Sequence, residues 1–196
     1  LVGSEMCIRD RSETCHKYGL YLFLDGARLG YGLAAPDNDL TLPDIAALCD
    51  VFYIGGTKVG ALFGEAVVIK NPELAQDFRY LIKQNGGMLA KGRLLGLQFD
   101  ALFTDGLYQV ISAHAIAMAE KLREAFTAKG YTYLAPNRTN QIFVIVPDAH
   151  LAKISEQFEY SYDQRIDATH SCVRFCTGWA TREENVDALI RCVEKL

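Results

Sequence analysis

Apolar residues fall in short unbroken runs in the first part of the chain and in helical or alternating patterns further on. The runs 20–24 and 51–54 predict buried strands, and Glu65–Ile69 predicts a third. His16-Lys17-Tyr18-Gly19 reads as a helix end stopped by glycine. A helix opens at Leu42-Pro43-Asp44, with proline in its first turn, and runs to about Cys49. Another, capped by Asn71-Pro72-Glu73, runs to about Lys83. Strand, helix, strand in this order predicts parallel pairing with a crossover, the α/β pattern. Helical spacing recurs over 89–103 and in a long helix over 107–129. Beyond it the pattern predicts strand 141–146, helix 149–158, strand 172–177 and helix 182–195, a small α+β arrangement. The expected organisation is therefore part of a mainly parallel α/β large domain over 12–105, a linking helix over 106–130, and a small C-terminal α+β domain over 131–196.

The first eleven residues, LVGSEMCIRDR, carry neither the apolar stretch of a signal peptide nor a periodicity continuous with the chain beyond Ser12. Back-translated, they resemble a transposase adapter used in preparing sequencing libraries. The expectation is that 1–11 is an artefact and that natural chain preceding about Ser12 is missing. A short polar natural N-terminus is the alternative.

Composition narrows the function classes. Hydrophobic residues make up 50% of the 196-residue chain, enough for a sizeable core, yet no apolar run approaches the roughly 20 residues of a membrane helix. A formal net charge of −4, with acids and bases interspersed, provides no footprint for nucleic acid. The expectation is a small-molecule substrate and no membrane. Six cysteines without a CxxC pair suit a reduced, cytoplasmic protein. His170, Cys172 and Cys176 lack the spacing of a structural zinc site; alternation over 172–177 predicts a strand with both sulfurs on one face, so no metal is expected.

The candidate chemistry sits at strand ends. Asp25 ends one buried strand and Lys58 lies just past the end of the next, where ligands bind in open α/β sheets. Pyridoxal 5′-phosphate (PLP) chemistry uses this pair of residue types. A lysine amine forms a Schiff base, and a carboxylate keeps the pyridine nitrogen protonated. Gly55, Gly56 and Gly60 would let backbone approach a planar cofactor. The same residues also fit a solvated lysine after a glycine turn and an ordinary Asp-Gly turn. Gly30-Tyr-Gly32-Leu-Ala-Ala35 only superficially fits a dinucleotide fingerprint, because Pro36 cuts off the helix it needs, and Gly56-Thr57-Lys58 lacks P-loop spacing.

Leu24-Asp25-Gly26-Ala27-Arg28-Leu29 resembles the LDGAR motif of the low-specificity L-threonine aldolase and β-eliminating lyase family. Its distance to Gly56-Thr57-Lys58-Val59-Gly60 matches, as do Gly86-Gly87-Met88 and the late segment 173–181, VRFCTGWAT. The resemblance extends over 12–196. It implies a PLP enzyme of fold type I, the aspartate-aminotransferase fold, cleaving L-threonine and related β-hydroxy amino acids to glycine and an aldehyde. It implies that Lys58 is the catalytic lysine bound to PLP, that Asp25 pairs with the pyridine nitrogen, that Arg28 stands at the cofactor near the substrate carboxylate, and that Arg174 grips that carboxylate. It also implies a homodimer or homotetramer. Where many members have Arg-Gln after Gly-Gly-Met, this chain has Leu89-Ala90, with Lys91 and Arg93 displaced, and Lys83 is one position out of register with a family lysine. Asn140 and His170 receive no role. The family's ring-stacking histidine and phosphate loop precede the first motif, so the 196 residues alone are expected to bind PLP weakly. Another fold type I reaction, such as β-elimination or transamination, and a noncatalytic assembly module remain as alternatives.

Overall fold

The computed structural model describes residues 5–196, which divide into two compact units. One holds the described residues up to Leu33 together with Asp37–Ile111; the other holds Ala34–Pro36 and Ser112–Leu196.

In the first unit, α1 (Glu5–Lys17) includes residues 5–11, for which the sequence offered no continuity. Glu, Met and Arg are good helix formers, so the helix extends there without any apolar stripe. The buried Ser12 hydroxyl donates to the Leu48 carbonyl at 2.8 Å, tying α1 to α3 (Leu42–Leu48). Gly19, at φ +64°, makes the left-handed turn that ends α1. Strand β1 is only Phe23–Leu24, since 20–22 make no ladder, and the short helix α2 (Leu29–Leu33) closes before Pro36. Helix α3 starts in a capping box between Thr41 and Asp44. It delivers the chain to β2 (Val51–Gly55), parallel to β1 with Leu24 opposite Phe52.

The parallel pairing expected of strand, helix, strand is that of β1 and β2 across α3; strand β3 (Glu65–Ile69), reached without a helix, runs antiparallel to β2, Val51 facing Ile69 and Gly55 facing Glu65. The connection over 56–64 is too short for a parallel crossover, which takes about a dozen residues or more. The helix expected over 71–83 is two, α4 (Pro72–Ala75) and α5 (Phe78–Gln84). Asp77 breaks it at φ 56°, a left-handed conformation that aspartate tolerates better than most residues. Helix α6 (Arg93–Phe103) and a single 3-10 turn (Thr104–Gly106) lead into α7 (Leu107–Ala128), within which the division between units falls.

The second unit packs α7, α8 (Asp148–Ile154) and α9 (Glu183–Glu194) with a four-stranded antiparallel sheet. Its strand order is β4 (Thr132–Tyr133), β5 (Gln141–Pro147), β7 (His170–Cys176), β6 (Ser161–Arg165). Alternation in β5 puts Ile142, Val144 and Val146 into a core with Phe126, Val173, Phe175, Leu189 and Val193. Cys172 and Cys176 lie opposite Ile145 and Gln141, on one face of β7; the first is buried and the second exposed at the strand end.

Candidate active site

Asp25 follows β1 directly, and parallel register continued by one residue sets it across from Tyr53 of β2. Leu24 and Phe52 point into the core, so alternation turns Asp25 and Tyr53 to the opposite, open face. There the Tyr53 hydroxyl donates to Oδ1 of Asp25, and the Ala27 amide donates to the same oxygen at 3.0 Å. The two bonds hold the Asp25 carboxyl below its ordinary pKa, with a smaller contribution from the positive charge of Lys58. The carboxylate pushes the Tyr53 hydroxyl up to about 12, so the phenol keeps its proton.

Backbone density sets this geometry. The Gly55 amide donates to the Gly26 carbonyl at 2.9 Å. A Cβ on Gly55 would stand 2.5 Å from the carbonyl oxygens of Gly26 and Ala27, so only glycine lets the ends of β1 and β2 come this close. Tyr108, buried on α7, donates its hydroxyl to the Gly55 carbonyl at 2.9 Å and accepts from the Gly30 amide at 3.1 Å.

The turn bearing Lys58 is held from both sides. Glu65 accepts from the Gly56 amide at 2.5 Å and from the Thr57 hydroxyl at 2.8 Å. The hydroxyl of buried Tyr31 donates to the Lys58 carbonyl, and Val59 is fully buried beside it. Backbone is thereby fixed while the Lys58 amine stays in solvent. Arg28 is half-buried just before α2, and its guanidinium makes no hydrogen bond or ion pair with the described residues. Asp25, Lys58 and Arg28 thus share the first unit, and the first two interact electrostatically.

Arg174 belongs to the second unit, on β7 opposite Phe143. Its guanidinium lies 6.0 Å from the Phe143 ring centroid, and Nη1 donates a long bond, 3.4 Å, to Gln141 Oε1. Its Nε is buried without a partner among the described residues. Arg174 lines a cavity of about 330 Å³ with Phe158, Tyr160, Thr177 and Asn185. An arginine with donors left over beside a cavity suits a carboxylate ligand. Asn140 donates to the Thr177 carbonyl at 2.6 Å, a structural bond in this unit. His170 binds Asp167 in the turn before β7. Among the described residues no group of three or more His, Cys, Asp or Glu side chains is arranged to hold a metal.

Sequence reading passed over Tyr53, Tyr31, Tyr108 and Glu65. Their only signal was polar atoms at positions that strand and helix periodicity otherwise spent on packing.

The residues at the strand ends fit PLP by their chemistry: an ionised carboxylate with one oxygen engaged, a solvent-facing lysine, and a glycine-dense floor. The chain superposes on a threonine aldolase from Leishmania major with a TM-score of 0.95 and 40% identity, covering 98% of this chain and 56% of that one. It superposes on a serine palmitoyltransferase from Sphingomonas wittichii at 0.66 with 15% identity, over 96% and 50% of the two chains, a likeness of fold alone. The architecture is that of the fold type I PLP enzymes, mixed α/β, of which this chain carries a part. Within that class, residues 2–149 match the model of the beta-eliminating lyase family, and the chain belongs to that family. A low specificity L-threonine aldolase from Pseudomonas sp. (strain NCIMB 10558) is 31% identical over 182 residues, 91% of this chain and 51% of that protein. The chain therefore spans about half the length of the curated relatives it matches.

Proposed function

We propose that the full-length protein is a PLP-dependent lyase that cleaves the Cα–Cβ bond of L-threonine and related β-hydroxy amino acids, releasing glycine and an aldehyde. The observation that carries the reading is the doubly hydrogen-bonded Asp25 carboxylate beside the backbone-locked turn of Lys58. The names of the Pseudomonas and Leishmania relatives support the substrate class. When bound, PLP supplies the electron sink that the reaction needs at Cα. Asp25 would hold the ring nitrogen through Oδ2, which accepts no hydrogen bond from the described residues. Lys58 would supply the primary amine that holds the cofactor. Arg28, whose guanidinium has no other partner among the described residues, and Arg174, with an unused Nε, would orient the substrate carboxylate, a planar guanidinium making two parallel bonds to it.

We place the protein in the cytoplasm, working as a homodimer or homotetramer on a small-molecule amino acid, with no nucleic-acid or membrane partner. Among the described residues no cysteine is paired, no helix is long and apolar enough to cross a membrane, and Leu62, Leu94 and Leu97 stand exposed, as interface residues do.

The test uses full-length protein reconstituted with PLP and given L-threonine. Equimolar glycine and acetaldehyde are expected, with activity and the borohydride-reducible PLP absorbance both lost in Lys58→Ala. 2-Oxobutanoate with ammonia as the main products would move the protein to β-elimination, and a 2-oxo acid that keeps the hydroxyl would move it to transamination. Activity and cofactor absorbance both unchanged in Lys58→Ala would leave an assembly module.

A further inference from the structure

We propose that Tyr53 is a positioning residue for the cofactor: with the Ala27 amide it occupies Oδ1 of Asp25 and so aims the anionic Oδ2 at the protonated ring nitrogen of bound PLP. The proposal rests on the role assigned to Asp25 under Proposed function and adds what makes that role possible.

An aspartate on an open strand end has a free χ1 and an ordinary affinity for protons, and neither suits a group that must hold a proton on another nitrogen. Here two donors from different elements converge on one oxygen. The Ala27 amide is local and would form in any Asp-Gly turn. The Tyr53 hydroxyl is not: it depends on the parallel register that places residue 53 beside residue 25 and on the exposed face the two share. The Tyr53 ring is steadied by Phe23, its centroid 6.1 Å away at 42°. Among the described residues two charged side chains, besides Asp25 itself, bear on the pair: that of Lys58, which favours the carboxylate, and the Glu65 carboxylate, which disfavours a phenolate. Both keep the bond in one sense, phenol as donor and carboxylate as acceptor. Asp25 therefore stays ionised to lower pH than a free aspartate, and it has one oxygen to offer.

The experiment compares wild type, Tyr53→Phe and Asp25→Asn in the full-length protein. PLP affinity is measured by fluorescence titration across pH, and in parallel with a deaza analogue of PLP whose ring carries carbon in place of the nitrogen. Phenylalanine keeps the ring contact with Phe23, so the fold is retained. Tyr53→Phe is expected to weaken PLP binding roughly three- to tenfold, the range of one hydrogen bond to an exposed charged group. Without the Tyr53 bond the Asp25 carboxyl returns upward, so binding on acidification fails at higher pH than in wild type. For the deaza analogue wild type and Tyr53→Phe should bind alike. Equal PLP binding by Tyr53→Phe and wild type overturns the proposal, as does an equal loss for both cofactors, which marks Tyr53 as packing only. If Asp25→Asn also leaves PLP affinity and spectrum unchanged, the assignment of Asp25 falls, and this proposal with it. An effect of Asp25→Asn with a silent Tyr53→Phe removes the proposal alone.

Discussion

Gly26 has no room for a side chain: a Cβ there would lie 1.6 Å from the Tyr53 carbonyl oxygen, a backbone atom that cannot step aside. Gly26→Ala should therefore force β1 and β2 apart and destabilise the protein by about 3 kcal/mol or more, read as a lower denaturant midpoint. A loss under about 0.5 kcal/mol, the level of an ordinary surface substitution, would mean that the strand ends are looser than this contact requires. Asp167 lends itself to a pH test. Its carboxylate accepts from the Thr169 amide at 2.7 Å and the His170 amide at 2.8 Å, and its pKa falls from 3.8 to about 2. A depressed carboxyl stabilises above its unfolded pKa and stops doing so as pH falls through the folded one. The amide shifts of Thr169 and His170 should thus titrate with a midpoint near 2, and a midpoint at 3.8 would mean the turn is open in solution. Asp25, Lys58 and Arg28 were legible as residues because motif spacing and strand ends carry them. Tyr53 was not, because a tyrosine inside an apolar run looks like packing until the neighbouring strand is known.

Elements were legible wherever local chemistry decided them. Thr41 and Asp44 announce the start of α3, the alternation of 141–146 announces β5, and helical spacing announces α7. Strand β6 was not foreseen, since Ser-Tyr-Asp-Gln-Arg is exposed throughout and shows no alternation; its pairing with β7, irregular between Tyr162 and Gln164, creates it. The orientation of β3 was likewise a matter of loop length rather than of its own residues. The second unit's core supports the element-scale prediction. Phe126 is fully buried on α7 with its ring 5.3 Å from that of Phe175, so Phe126→Ala should cost about 3 to 5 kcal/mol. Loss of near-ultraviolet dichroism at lower denaturant would register it, and an unchanged midpoint would show that α7 does not pack on the sheet in this way.

At the scale of the molecule, a formal charge of −4 and a sequence pI of about 5.6 predict least solubility near that pH, where repulsion between copies vanishes and exposed apolar side chains such as Leu62, Tyr18 and Phe23 can meet. Light scattering across pH should peak there, and a flat profile would mean that those side chains do not govern association. By itself the sequence determined the class of element along most of the chain, the mixed α/β character, and the pairing of a carboxylate with a lysine at consecutive strand ends. These come from periodicity, caps and spacing, which are local. Only the tertiary structure decided that β3 turns back on β2, that Gly26 and Gly55 bring two strand ends into contact, and that Tyr53 holds Asp25 while Glu65 and Tyr31 hold the turn of Lys58. Each of those depends on atoms distant in the chain meeting at a few ångströms, and no local pattern records which residue will be on the other side.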